Sequence, residues 1–128
     1  MTNSALAYAD AARVFNKLTS QSNILHTIMI TRTWHGRTLI KDADLYLNFL
    51  LTEGTKEYRQ TPGNVSVRVW RSKEGEICHF WTVTEWNDID SIKAFAGEDY
   101  EKAKYYQFDN GILLEFEEHV NHYESFAV

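Results

Sequence analysis

His79 lies in the middle of Ile77-Cys78-His79-Phe80-Trp81-Thr82-Val83-Thr84-Glu85-Trp86, a run that reads as a β-strand. An imidazole titrates near neutrality, so His79 is the first candidate for a general base. Strand alternation groups it with Ile77, Trp81 and Val83, and those apolar partners predict a face that meets helices. A partly buried histidine bonded to a carbonyl or a tyrosine is the competing reading. Arg32 shares a strand face with Ile28, Ile30 and Trp34. It can hold an enolate or phenolate by a charge-assisted bond, or simply pair with a neighbouring glutamate. Trp34, Trp81, Phe95, Tyr105 and Tyr106 suit the wall of a pocket for a flat aromatic ligand. Ordinary core packing would employ them equally well, and Trp86 is expected to close a strand–helix corner.

Other chemistries find little support. His119 and His122 are three apart, so on one strand they point to opposite faces. Glu115, Glu117 and His119 share a face but span ~13 Å, too far for one ion; no metal is expected. Alternation sends the single cysteine, Cys78, away from His79, which argues against a Cys–His nucleophile pair. The sequence contains neither a glycine-rich phosphate loop nor a Gly-x-Ser-x-Gly elbow. A net charge of -5 with no basic cluster argues against nucleic acid. No apolar stretch approaches the ~20 residues that cross a bilayer. With no export signal recognised, the expected location is cytoplasmic and Asn64-Val65-Ser66 reads as a chance sequon.

The elements that must position these residues follow from periodicity. Residues 1–24 read as a helical extension, capped by Ser4, with Tyr8, Ala11, Ala12, Phe15 and Leu18 on one stripe. Residues 25–128 form the domain. Its first strand spans Leu25 to Trp34 and is stopped by His35-Gly36. A helix runs from Asp42 to Gln60 with Ala43, Leu47, Leu50, Leu51, Gly54 and Tyr58 on one face. Thr61-Pro62-Gly63 ends it. A second strand, Asn64 to Arg71, places Val65, Val67 and Val69 opposite Ser66, Arg68 and Trp70. A turn over Ser72-Lys73-Glu74-Gly75 leads to the strand of His79. A helix near Asn87 to Ala96 follows, then a further helical turn over Tyr100 to Tyr106, and a long last strand from Ile112 to Glu124.

The order β-α-β-β-α-β predicts an α+β, ferredoxin-like domain with a four-stranded antiparallel sheet. Right-handed crossovers put both helices on one face. The other is left bare, carrying Arg68, Trp70, Glu115, Glu117, His119 and Tyr123. A half-aromatic bare sheet calls for a second layer, most simply another copy of the chain, so a homodimer packed sheet against sheet is expected.

Several segments resemble the antibiotic biosynthesis monooxygenase family of dimeric α+β barrel proteins. They are Ile30-Thr31-Arg32-Thr33-Trp34, Thr61-Pro62-Gly63-Asn64, Glu85-Trp86-Asn87-Asp88, Ala94-Phe95-Ala96-Gly97-Glu98-Asp99, and Tyr105-Tyr106 through Ile112-Leu113-Leu114-Glu115 to His122-Tyr123-Glu124. The resemblance covers about residues 28–124. It implies a ligand pocket between sheet and helices and a cofactor-independent monooxygenase acting on a phenol- or anthrone-like molecule. His79 would be the base, Arg32 the anion stabiliser, and Trp34, Trp81, Phe95, Tyr105 and Tyr106 the substrate clamp. The haem-degrading branch of the family matches poorly. Its ligating histidine falls at Tyr105, its catalytic tryptophan at Phe95 and its first-strand asparagine near Thr31, which leaves haem bound by Tyr105 as the alternative cofactor. A small-ligand- or haem-binding dimer without turnover is the second reading. The third is a structural or regulatory dimer whose pocket its own aromatics fill. An open cavity beside His79 separates the catalytic reading from the third.

Overall fold

The computed structural model describes residues 28–128, and Met29–Ser125 form one compact unit. The helical extension over residues 1–24 and the expected strand start at Leu25 lie outside the described residues.

The elements are β1 (Ile28–Leu39), a 3-10 turn (Ile40–Asp42), α1 (Ala43–Phe49), a π turn (Leu50–Gly54) and α2 (Lys56–Gln60). They continue with β2 (Asn64–Glu74), β3 (Ile77–Trp86), α3 (Ile89–Ala96), a 3-10 turn (Gln107–Asp109) and β4 (Asn121–Phe126). The sheet order is β2-β3-β1-β4, with β3 antiparallel to both neighbours. This is the expected α+β, ferredoxin-like arrangement.

β1 does not stop at His35-Gly36. It continues to Leu39, pairing Gly36 with Phe80 and Thr38 with Cys78. Gly36 is a packing glycine: a Cβ there would lie 2.5 Å from Cη2 of Trp34, so only glycine lets the indole lie flat across the strand. The first helix is interrupted by the π turn, in which Thr55 Oγ1 donates to the carbonyl of Leu50 at 2.7 Å. The wider turn rotates Leu51 outward to 58% exposure, while Ala43, Tyr46, Leu50, Gly54 and Tyr58 face the sheet.

β2 runs three residues further than expected. The hairpin tightens to Gly75-Glu76, with Gly75 at φ 60°. α3 starts as read, because Asp88 caps it by accepting from the Ser91 amide at 2.8 Å. The expected helical turn over Tyr100 to Tyr106 is absent; the chain there is irregular until Gln107. The expected long final strand is also broken, and regular pairing resumes only at Asn121. Residues before it are held piecewise: Leu114 donates to the Arg37 carbonyl at 2.9 Å, and Lys102 bridges His119. His119 is thus engaged by Lys102 in an isolated bridge rather than set in a regular strand.

The core lies between sheet and helices in two clusters. One contains Trp34, Ala43, Tyr46, Leu50, Cys78, Phe80, Leu113 and Val120; the other contains Tyr58, Trp86, Ile92 and Phe95. Among the described residues no helix is long and apolar enough to cross a membrane.

Candidate functional site

The sheet divides the predicted site residues between its two faces. On β1 the buried positions are Arg32, Trp34, Gly36 and Thr38; on β3 the buried alternating set is Cys78, Phe80, Thr82, Thr84 and Trp86, with Val83 buried on the opposite face. Both alternating sets face the helices. His79 and Trp81 alternate with them and therefore face away, which corrects the expectation that His79 meets the helices. The apolar company of His79 was misleading because the buried register of β3 carries threonines whose hydroxyls find partners elsewhere in the fold. Thr82 bonds Tyr58 at 3.0 Å, and Thr84 donates to the Arg32 carbonyl and accepts from Trp86 Nε1. A paired hydroxyl is cheap to bury, so its polarity did not mark the outer face.

Arg32, Trp34, Phe95, Tyr105 and Tyr106 do gather on the helix side. Arg32 is 2% exposed and has no carboxylate partner among the described residues. One guanidinium nitrogen donates to the carbonyls of Lys102 at 3.2 Å and Tyr100 at 3.4 Å, and Nε has no partner. Its carbon lies 5.3 Å from the Phe95 ring centre. Burial pulls the Arg32 pKa down, partly offset by the nearby Tyr58 hydroxyl. His122 of β4 is close enough to feel this charge. Its Nε2 is buried and unpartnered, its ring packs edge-on to Tyr100, and burial followed by Arg32 lowers its pKa. His122 therefore tends to stay a neutral imidazole beside a buried cation. Sequence reasoning considered His122 only as a metal ligand; its contact with Tyr100, in an irregular stretch, is tertiary and gave no local signal.

The cavity between sheet and helices measures about 20 Å³, and its lining includes Trp34, Tyr46, Tyr58, Thr82, Lys104, Tyr106 and Asp109. That is room for one water. Buried Asp109 anchors the wall: Oδ1 accepts from the Tyr46 hydroxyl at 2.8 Å and Oδ2 from the Tyr106 amide at 2.6 Å. Burial raises the pKa of Asp109 and of Tyr46. A groove of about 250 Å³, lined by Phe49, Glu53, Lys56, Glu57, Gln60 and Tyr106, adjoins it. Phe49 and Tyr106 line both spaces, so they form the partition. The Tyr106 hydroxyl is tied to Glu57 at 3.0 Å, beside Lys104 at 3.2 Å from the same oxygen.

Tyr105 fits a haem ligand badly. Its hydroxyl donates to the Glu117 carbonyl at 2.6 Å, burial raises its pKa, and both hold it in the phenol form.

The open face holds an arrangement that sequence reasoning missed. Glu117 Oε2 lies 2.6 Å from His35 Nδ1, His35 Nε2 lies 2.9 Å from His79 Nδ1, and His79 Nε2 lies 2.8 Å from Glu74 Oε1. Trp81 packs against both rings, and Arg37 clasps Glu115 with contacts of 2.7 to 3.2 Å alongside. No described cavity is lined by His79. The open-face groove, about 390 Å³, is bounded by Thr31, Thr33, Trp70, Trp81, Val83, Tyr123, Glu124 and Ser125. Two readings hid this chain, His35-Gly36 as a strand end and the inner face given to His79, and the β1–β3 register that brings the rings together is set by the tertiary fold.

No family model and no curated protein matches the sequence. Among solved structures, the chain is similar to a Shewanella oneidensis protein at 16% identity and TM-score 0.53, over 83% of this chain and 98% of that one. It is also similar, at 11% identity and TM-score 0.48, to a Bacillus cereus protein assigned provisionally to the antibiotic biosynthesis monooxygenases, over 79% of this chain and 93% of that one. The Shewanella likeness is one of fold, and agrees with the ferredoxin-like strand order seen here.

Proposed function

We propose that this chain is an α+β barrel protein of the antibiotic biosynthesis monooxygenase type that works as a homodimer. It takes an ionisable aromatic molecule, phenol- or anthrone-like, on the helix side of its sheet. The observation that carries this reading is Arg32, a buried guanidinium with no carboxylate among the described residues and a free Nε. An uncompensated buried charge costs several kcal/mol in general, and an anionic guest would offset that cost. His122 replaces His79 as the base in this reading. It shares the face of Arg32 and its Nε2 is free, whereas both nitrogens of His79 are engaged on the opposite face.

In the oxygenase version His122 removes a proton from the substrate and Arg32 stabilises the resulting enolate or phenolate. The anion then passes electrons directly to dioxygen. One oxygen atom enters carbon as a carbonyl and the other leaves as water with the two displaced hydrogens, so no external reductant is required. Turning Tyr106 about its side chain would join the inner cavity to the outer groove and bring the combined space toward the ~300 Å³ at which small-molecule pockets begin. Arg32 and His122 line neither space, so a guest that reaches them must also open the packing around Phe95 and Tyr100.

Fluorescence titration with an anthrone, alongside an oxygen electrode, tests this. Arg32→Met is expected to weaken binding at least about tenfold without lowering the melting temperature, because only two long hydrogen bonds are lost. Unchanged affinity would remove Arg32 from the site. His122→Asn should keep binding and lose oxygen uptake.

The small cavity favours a second reading, in which the ring system binds without turnover or the chain's own aromatics occupy the site for good. Saturable binding with no oxygen consumed points to the first; no binding even in Tyr106→Ala points to the second.

A further inference from the structure

The four-group chain on the open face has a proton count that its geometry decides. Carboxylates only accept hydrogen bonds, so Glu117 requires the proton on His35 Nδ1, and Glu74 requires one on His79 Nε2. Two neutral rings have then spent both N–H protons. His35 Nε2 and His79 Nδ1 would face each other at 2.9 Å as two bare lone pairs. A third proton between them turns that repulsion into a hydrogen bond and completes all three links.

The charges around the pair favour the same answer. Among the described residues of one chain, Arg37 on β1 is the cation set across from His79. Against that stand Glu74 from the hairpin, Glu115 and Glu117 from the segment before β4, with Ser72 and Trp81 neutral. Three carboxylates and one guanidinium leave two negative charges, which an imidazolium reduces to one. Glu115 is lowered in pKa chiefly by its bond to Arg37, and also by both histidines.

We infer that His35 and His79 form a proton-binding site that latches the segment before β4 onto the sheet. Glu117 is the moving part. Its side chain is held by His35, and its carbonyl accepts the Tyr105 hydroxyl, whose ring packs on Trp34 on the helix side. Proton uptake on the open face therefore tightens the wall of the helix-side cavity. The latch stands without the proposed activity; only its effect on ligand access rests on that reading.

The sign follows from the proton count. The nitrogen–nitrogen link exists only while the third proton is present, so the latch closes at lower pH and opens as pH rises, while the carboxylates stay ionised. Long-range nitrogen–proton NMR of the imidazoles on the full chain tests the count directly. Three ring protons on the pair at the acid end, one of them shared and far downfield, and two at the alkaline end are expected. Two throughout overturns the inference.

Amide exchange over residues 112–120, corrected for intrinsic rates, should show protection falling as pH rises. In His79→Gln that dependence should vanish, because the amide brings two N–H donors and needs no extra proton. An undiminished dependence in His79→Gln assigns the effect elsewhere and sinks the latch. Should that variant not fold, the ring-proton count in the native chain decides alone. Loss of anthrone binding with the count intact would refute the proposed function and leave the latch standing.

Discussion

Arg32 and His122 show how one buried charge sets the chemistry of its neighbour. Burial, then Arg32, pushes the His122 pKa below its ordinary 6.5. A histidine whose folded pKa is depressed costs stability as pH falls, since unfolding releases it to take a proton. Stability from this residue is therefore complete above about 6.5 and declines below it. Chemical denaturation from pH 8 to 5 should show a loss that is smaller in His122→Asn. An identical decline in both proteins would place the acid sensitivity elsewhere. This runs opposite to the latch, and two comparisons keep them apart: the stability difference between native and His122→Asn protein reports His122, and local exchange over 112–120 reports His35 and His79. Asp109 makes a third case. It serves Tyr46 and the Tyr106 amide while 1% exposed, so Asp109→Ala should cost about 2–4 kcal/mol by leaving both donors unpaired.

At the scale of elements, Gly36 is the position where backbone and packing meet. Gly36→Ala would drive a methyl into the Trp34 indole from the middle of a strand. A loss of about 1–3 kcal/mol in urea unfolding is expected, as for overpacking; a neutral result would mean the indole can move aside, which would also widen the cavity. The same glycine explains an error of reading. His35-Gly36 looks like a stop signal because glycine usually breaks strands, but here its missing side chain makes room for Trp34. The order and kind of the elements were legible because periodicities of 2 and 3.6 are local properties. The caps were too, as at Asp88. Which face of β3 turns inward was not, since Thr82 and Thr84 are satisfied by Tyr58 and the Arg32 carbonyl, partners that only the tertiary fold supplies, with Trp86 adding a bond from the same strand. The π turn was invisible too: the apolar residues keep α-helical spacing in the sequence, and only the structure turns Leu51 outward. Arg32, Trp34, Phe95, Tyr105 and Tyr106 were legible as one group; the His35–His79 contact, made across β1 and β3, was not.

The unit Met29–Ser125 is a sheet clad on one side by its helices. Its other side exposes Trp70 and Tyr123, each more than half accessible, around a groove of about 390 Å³. An apolar surface of that kind beside paired charges is a docking surface in general. The proposed occupant is a second copy, because one sheet of this shape buries its aromatics by meeting its twin. Light scattering after size exclusion should give twice the chain mass for the native protein. Trp70→Glu should shift it to the monomer, since the carboxylate would be buried at the contact without a partner, and dissociation should deepen on dilution. The helix-side titration separates assembly from folding. If the monomeric variant still binds anthrone, each subunit carries a complete site; if binding falls with the dimer, the second sheet supports the wall that Arg32 and Trp34 share. A native protein that stays monomeric at high concentration would instead leave the open face for some other partner, and the barrel architecture would have to be abandoned.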